Sequence, residues 1–509
     1  MSTSPSRRDG AVAGIVAGAL AATVGMMMAA IIDVVSPIDA VGSTVIDHVP
    51  RSVKELAIRW FGTNDKVALR AGIVVTMGIF AVVLGIVAAR RVWVGVAGIG
   101  VFGIVGAAAA VGRPGEGWSA AVPSILGAVI GGSVLYLSLR SRPIEVPGPS
   151  KAPLGWDRRR FLVTSGAAAM AAATAAVVAG SLEKGRVETL RKATRVPLPE
   201  TPTLDTAAAI PAGATVDTAT PFLVPNGKFY RIDTALSFPR IDVKKWKISV
   251  KGMVDNPLEI TYADLLALPQ VERVVTLCCV SNDVGGSYVG NAVWRGVLLK
   301  DILDTAGVKS SAQQVYSTSA DGWTSGFPVE LAMDGRDAMI AVGMNGATLP
   351  LEHGYPARLV VPGLYGYVSA TKWLTTIELT TWDAEGYWIP RGWSQMGPVK
   401  TQSRIDVPRD GNSLTTGPQK IAGVAWAQHK GIAKVEVKVD GGAWQEATLG
   451  NDVSDDAWRQ WVLDWPATKG PHTIEVRATD KTGYTQTDER TDVAPDGATG
   501  HHTIMVDVS

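Results

Sequence analysis

The chain has 509 residues, with 48 Lys and Arg against 47 Asp and Glu, and 47% of its residues are hydrophobic. A formal charge of +1 gives no basic field for nucleic acid, so no such partner is expected. The 2 cysteines, Cys278 and Cys279, exclude a disulfide framework, and their adjacency works against a relaxed bond between them.

The N-terminal third is the most apolar part. Segments at roughly 11–32, 71–89, 92–112, 118–139 and 161–182 each approach the ~20 residues that a membrane-crossing helix needs. Arg7 and Arg8 precede the first, Arg90 and Arg91 separate the second from the third, and Arg140, Arg142, Lys151 and Arg158–Arg160 lie between the fourth and fifth. By the positive-inside rule the N-terminus of this multi-pass inner-membrane protein is cytoplasmic, and everything after about Leu182 is outside. Residues 1–156 are thus expected to form a four-span membrane region. The only histidine before residue 353 is His48, placed in the first external loop, so a haem held by two histidines inside the spans is excluded. No charged residue sits at the centre of a span, so no ion path is visible. Gly14/Gly18 and Gly127/Gly131 recur at helix-packing spacing. These spans serve either as an anchor or as a docking surface for an electron-carrying membrane partner.

Residues 157–182 begin "DRRRFL", where Arg158, Arg159, Phe161 and Leu162 resemble a twin-arginine export signal. No strong small-x-small cleavage site follows, so the segment is expected to stay as a signal-anchor helix. Residues 183–220, rich in Ala, Thr and Pro, read as a linker. Residues 221–399 mix helix and strand: "KKWKISVKGMV" alternates like a strand, "TYADLLALP" opens with Thr261 three residues before Asp264, and "GVLLKDILDTAG" carries Leu299, Ile302 and Leu303 on one helical face. After about Lys400 the pattern is strands only. Val435, Val437 and Val439 run into the turn Asp440–Gly442, and Ile474, Val476 and Ala478 alternate with polar residues, as in a β-sandwich.

By residue type, a thiol outside the cytoplasm is a small buried apolar group, a nucleophile or a soft metal ligand. His353 is the leading candidate base for a nucleophile, but no local signature pairs it with a cysteine. A zinc site would need about four ligands, which two adjacent thiols and scattered histidines supply poorly.

The stretches "VDNPLEITYADLLALP", "TLCCVSNDVGGSYVGNAVWRGVLLKDILDTAGV", "MNGATLPLEHGYPARLVVPGLYGYVSATKWLTTIEL", "IAGVAWA", "DGGAW" and "AWRQW" fall in one order across about residues 222–509. As a set they resemble the sulfite oxidase family of molybdenum enzymes. The five spans read from the apolar segments, an α-helical transmembrane bundle, lie outside the family core; for the rest the resemblance implies an α+β sulfite-oxidase-type molybdopterin domain (221–399) and an all-β immunoglobulin-like dimerisation domain (400–509). It implies a molybdenum-molybdopterin (Mo-pyranopterin) cofactor and one protein thiolate on the metal. The family pattern Thr-Leu-x-Cys-x-x-Asn puts that ligand at Cys279, with Asn282 closing the pattern and Cys278 at a variable position as a small packing residue.

The family's His-Gly-x-Pro-x-Arg and Lys-Trp elements match His353, Gly354, Pro356, Arg358, Lys372 and Trp373, which makes His353, Arg358 and Lys372 the cofactor clamp. Substrate residues implied the same way are Arg231 and Arg459. Tyr387 and Arg391 stand near a family tyrosine position that holds Pro390 here, and Asp283 replaces an arginine that follows the family's Asn. The resemblance thus implies two-electron oxygen-atom transfer on a small or sulfur-containing substrate such as sulfite. The alternatives are reduction of an S-oxide or N-oxide, including oxidised methionine, and a non-catalytic scaffold. No C-x-x-C-H motif is present, so no haem is expected and electrons pass to a separate cytochrome or membrane redox protein.

Replacing Arg158 and Arg159 by Lys should leave the folded C-terminal part on the cytoplasmic side. Protease added outside intact spheroplasts would then no longer cut it; unchanged cutting would refute the export signal.

Overall fold

The computed structural model describes residues 4–509 apart from 51–52, 54–55, 57–59, 62–64, 141, 144–153, 195–197, 199, 202, 208 and 217–219. Lys151, counted among the cytoplasmic charges, lies outside the described residues. The chain divides into two units. One comprises Met1–Leu190 with Thr234–Arg240, the other Arg191–Asp233 with Ile241–Ser509.

The first unit is helical: α1 (Arg7–Ile31), α2 (Pro37–His48), α3 (Asp65–Ala88), α4 (Val92–Val111), α5 (Val122–Leu139) and α6 (Arg158–Thr194). Among the described residues five helical stretches are long and apolar enough to cross a membrane: Arg7–Ile31, Lys66–Ala88, Val92–Val111, Trp118–Leu139 and Arg158–Lys192. Helix α1 starts at a capping box in which Ser6 and Asp9 satisfy each other's backbone N–H groups. The stretch expected as the first external loop holds α2, opened by the Ser36 side chain accepting from Asp39 N and by Pro37 in the first turn. His48 ends that helix. Its polar, short sequence hid it from a search for apolar spans.

Small residues let the helix backbones touch. A methyl group on Gly14 of α1 would overlap the Ala81 carbonyl of α3, and one on Gly127 of α5 would overlap the Ala21 carbonyl of α1. On Gly131 it would stand 2.7 Å from the Ala17 oxygen. Acid–base pairs gather near the C-terminal ends of α1 and α4 and the start of α3. Arg70 pairs with Asp39 at 2.8 Å, Arg113 with Asp47 at 2.8 Å and Arg240 with Asp33 at 2.7 Å, and Glu116 accepts from Val35 N at 2.8 Å.

The stretch read as a linker carries more order than its composition predicts. Helix α6 runs on to Thr194 because "SLEKGRVETLRKA" lacks proline and has a Glu183–Arg186 pair at 2.7 Å. Leu204–Asp205 then forms β1, parallel to Gln270 and Val271. Val216 N donates to Gln460 Oε1 at 2.6 Å, and Asn451 N to Gly213 O at 2.9 Å.

In the second unit two sheets share one core. The elements are β2 (Lys247–Gly252), β3 (Leu258–Thr261), α7 (Tyr262–Ala267), β4 (Gln270–Cys278), β5 (Val289–Leu298), α8 (Leu299–Ala306), β6 (Gln314–Ser319), β7 (Thr324–Pro328), β8 (Met339–Met344), β9 (Ala347–Thr348), β10 (Arg358–Val360) and β11 (Leu374–Thr380). One sheet runs β9-β8-β5-β4-β1 with β10 also on β8; the other runs β3-β2-β11-β6-β7. Helix α7 is capped by Thr261 and Asp264, and α8 ends at the left-handed Gly307, both as the sequence predicts.

The remaining strands are β12 (Gln402–Val407), β13 (Ser413–Leu414), β14 (Gly417–Trp426), β15 (Ile432–Val439), β16 (Gln445–Glu446), β17 (Thr448–Leu449), β18 (Arg459–Ala467), β19 (Gly470–Asp480) and β20 (His502–Val508). They form sheets of order β12-β14-β18-β17 and β13-β20-β19-β15-β16, closed over a second core that includes Trp461, Val435, Ile474 and Val506. Two antiparallel-rich sheets on one core make a β-sandwich.

Gly14→Leu should lower the unfolding free energy of the detergent-solubilised chain by roughly 1–3 kcal/mol, the usual cost of overpacking. Gly78→Leu, at a site with nothing within 4 Å, is the control. Equal melting temperatures for the two variants would refute the close helix approach.

Candidate active site

The second unit's core brings most of the sequence-predicted cofactor residues together. Strand β4 ends at Cys278, paired with Val289 of β5, and the loop between them begins at Cys279. The loop folds back on itself: Cys279 N donates to Tyr288 O at 2.9 Å, Asn282 N to Cys279 O at 3.0 Å and Tyr288 N to Asn282 Oδ1 at 2.7 Å. Asn282 is buried, and its Nδ2 has no hydrogen-bond partner among the described residues. Both thiols are buried and free. Burial pushes the Cys279 thiol up, while hydrogen bonds from Ser281 and the Lys372 charge pull it down. Burial pushes Cys278 further up, with the Cys279 charge adding to it. A thiolate at Cys279 therefore calls for a further positive charge beside it.

The basic side chains come from a turn at His353, the start of β10 at Arg358 and the approach to β11 at Lys372. The turn Leu351–His353 is followed by Gly354 at φ 112°, and a methyl group there would meet Lys372 Cβ at 3.0 Å and Arg358 Cβ at 3.1 Å. Only glycine suits that conformation, and its bare face lets the Arg358 and Lys372 backbones converge on His353. His353 Nε2 lies 2.9 Å from Asn226 O, so it carries the proton and donates. Burial depresses the His353 pKa to about 4, which keeps the ring neutral. Phe229 meets it edge-on, with ring centres 5.5 Å apart.

The Arg358 guanidinium is buried, and its hydrogen bonds go to carbonyls: Nη1 donates to His353 O at 3.2 Å, Nη2 to Ala370 O at 3.4 Å and Nε to Leu359 O at 3.3 Å. Its charge lies 5.0 Å over the Trp294 ring. Among the described residues no carboxylate pairs with it, and burial lowers its pKa to about 10. Lys372, also buried and lowered to about 8, bonds Asp233 at 2.7 Å and Glu352 O at 3.2 Å.

Among the described residues, a buried cation without a carboxylate, an amide nitrogen without a partner and a buried thiol at the head of the loop fit a group that carries both an anion and a thiophilic metal. Among the described residues no three His, Cys, Asp or Glu cluster to hold a metal unaided, so a metal at Cys279 would need ligands from a cofactor.

The profile of the oxidoreductase molybdopterin binding domain family matches residues 235–388. The Bacillus subtilis oxidoreductase YuiH is 36% identical over 156 residues, covering 31% of this chain and 76% of that protein. Mitochondrial sulfite oxidase of Homo sapiens is 27% identical over 302 residues, covering 50% of this chain and 55% of that protein. The chain belongs to the sulfite oxidase family of molybdopterin oxidoreductases. It spans about half the length of the mammalian sulfite oxidases it matches. The sulfane dehydrogenase SoxCD from Paracoccus pantotrophus aligns with a TM-score of 0.48 and 26% identity, over 56% of this chain and 83% of that one.

The substrate residues drawn from that family are scattered. Arg231 is near the clamp, bonded to Asp233 at 2.8 Å. Arg459 opens β18 in the sandwich, and its guanidinium donates to Gly450 O and Ile432 O, both at 2.9 Å; it bonds the sandwich rather than the Cys279 loop. Arg391 stacks on Tyr387 at 3.8 Å and donates to the Tyr387 carbonyl, so these two form their own pair. Pro390 beside them is exposed.

Four residues escaped the sequence reading. Tyr230 is partly buried within electrostatic reach of Cys279 and Arg358, and loss of solvent around its hydroxyl raises its pKa. Asp233 holds Lys372 and Arg231. Arg404 of β12 donates to Gly286 O at 2.8 Å in the cysteine loop and pairs with Asp406 at 2.6 Å. His502 of β20 accepts from Ile405 N at Nδ1, 3.0 Å, and abuts Gly285. Only Tyr230 and Asp233 had a signal, their closeness in sequence to Arg231.

His353 and His502 are both held near pKa 4 by burial, below the ordinary 6.5. A depressed histidine leaves the unfolded chain holding more protons, so stability is full above pH 6.5 and falls as pH drops toward 4. His502→Gln should remove its share of that loss, on the order of 2 kcal/mol, measured as melting temperature against pH. An acid loss unchanged by the substitution would show that the folded ring titrates normally.

Proposed function

We propose that the chain is a membrane-anchored molybdenum-cofactor oxidoreductase. It moves an oxygen atom to or from a small or sulfur-containing substrate outside the cytoplasmic membrane. The observation that carries this reading is the buried Arg358 guanidinium, left without a carboxylate among the described residues, in the same core as the single-thiol loop. Cys279 would be the protein's ligand to the metal. Arg358, Lys372, His353 and Asn282 would hold the pterin and its phosphate, with Arg358 suited to two parallel bonds to phosphate oxygens. Bound there, the cofactor supplies two-electron redox and oxygen-atom exchange.

The chain's own residues then bind and orient. The neutral His353 keeps its Nε2 proton on the Asn226 carbonyl, which leaves Nδ1 as an acceptor. The Asn282 side chain fixes the loop through Tyr288 N and offers its free Nδ2. Arg231 is the substrate-side residue that its surroundings favour, since it shares Asp233 with the clamp lysine. Electrons pass to or from a separate cytochrome or membrane redox protein. The five apolar helices anchor the chain with its N-terminus cytoplasmic, and the 400–509 sandwich is the candidate homodimer surface.

The purified full-length chain should contain molybdenum by elemental analysis; its absence would sink this reading and favour a scaffold. Cys279→Ser should cut turnover with artificial donors and acceptors by more than about a hundredfold, whereas Cys278→Ala should stay within about threefold. The opposite order would put the ligand at Cys278.

A further inference from the structure

The clamp lysine lies between two residues that the fold holds in unusual ways. Trp373, which follows it, has φ 50°, a left-handed conformation that bulky side chains avoid. It is held there by its N donating to Gly354 O at 3.2 Å, its O accepting from Ala320 N at 2.8 Å and its Nε1 donating to Leu351 O at 3.0 Å. Thr371, which precedes the lysine, is fully buried. Its hydroxyl lies 2.7 Å from Ser317 Oγ and 2.9 Å from Ser325 Oγ, and those two, opposite one another on β6 and β7, are 3.0 Å apart. Three hydroxyls so placed close a ring in which each donates once and accepts once. The ring fastens the stretch 370–373 to the second sheet. The same stretch meets Arg358 and its neighbour: Ala370 O accepts from Arg358 Nη2 at 3.4 Å, and Thr371 O accepts from Leu359 N at 2.9 Å.

We infer that Thr371 is a positioning residue for the phosphate clamp: pinned by Ser317 and Ser325, it fixes the Ala370 carbonyl and so aims the Arg358 guanidinium at a bound phosphate. The inference rests on the proposed function for the nature of the anion. Nη1 and Nη2 of Arg358 carry two N–H groups each, and each spends one, on His353 O and Ala370 O. Among the described residues one N–H on each is left, the pair that two parallel bonds to phosphate oxygens need. Which N–H points outward depends on where the Ala370 carbonyl stands. The strained Trp373 pulls the stretch toward another conformation, and strain of this kind persists only where the surroundings over-determine it. The hydroxyl ring supplies that restraint through directional bonds, which packed methyl groups would not. Thr371 itself takes no part in the reaction; it acts through Arg358.

The test is the binding of inorganic phosphate to the full-length chain in detergent, made in cells that cannot assemble the pterin and followed by calorimetry, with a melting temperature for each sample. Wild type should bind phosphate, and Arg358→Gln should abolish the binding, which identifies the site being read. Thr371→Val keeps the shape, removes the hydroxyl and leaves Ser317 and Ser325 bonded to each other. It should weaken phosphate binding by about tenfold, and Thr371→Ser should restore the affinity to within about twofold. Ser317→Ala opens the same ring and should weaken binding in the same direction, so it carries the test should Thr371→Val fail to fold. A lowered melting temperature with wild-type phosphate affinity in these variants would overturn the inference and make the ring purely structural. Wild type without phosphate binding, or with binding unaffected by Arg358→Gln, would refute the clamp itself and the inference with it. When the proteins are made with the cofactor, Thr371→Val should also carry less molybdenum per chain. Weaker phosphate binding with full molybdenum content would assign the clamp to free phosphate and refute the cofactor reading, leaving the role of Thr371 standing.

Discussion

One buried positive charge organises the second unit's core. Moving a guanidinium out of water costs several kcal/mol unless its charge and its N–H groups are met. Around Arg358 three carbonyls meet the N–H groups and the Trp294 face meets part of the charge, but no carboxylate among the described residues meets the rest. Gly354 is what lets the chain gather this arrangement, since any side chain there would press on both Lys372 and Arg358. Lys372 is the contrast. It is nearly as buried as Arg358, and Asp233 neutralises it. The two cations therefore differ in what they still require: one needs an external anion, and the other already has an internal one.

The thiol site obeys the same constraint with the opposite sign. Burial makes a bare thiolate at Cys279 costly, so the charged form depends on what is bound beside it. Cys278 is driven further in the same direction and packs in the core with its sulfur 3.5 Å from the Cys279 carbonyl. Adjacency in sequence thus produces two unlike environments. One cysteine ends a strand inside a sheet, and the other opens a loop whose amide, carbonyl and Asn282 staple are all engaged.

How far the sequence could be read depended on range. The capping box at Thr261, the glycine stop at Gly307 and the alternating valines of β15 are local, and they formed as their patterns predict. The clamp residues were visible through short motifs whose members stay close in space. Long-range pairings were not visible. The Ala- and Thr-rich stretch before residue 220 has no period of its own, yet its backbone is satisfied by Gln460 and Asn451, more than two hundred residues away. Arg459 stands in a motif that suggests a substrate arginine, but the carbonyls nearest its guanidinium belong to Ile432 and Gly450, and no motif records that. Asp233 was passed over because its partner Lys372 lies far along the chain.

The cysteine loop leans on parts of the chain made long after it. Arg404 holds Gly286, Trp458 N bonds the Thr276 hydroxyl in β4, and His502 packs on Gly285. Ribosomes add roughly 5–20 residues per second, so the stretch from Cys279 to His502 takes on the order of 10–45 s to make. Until it has emerged, the loop lacks its backing. The loop is therefore completed late in synthesis, by the strands of the sandwich rather than by the segment that bears the thiol.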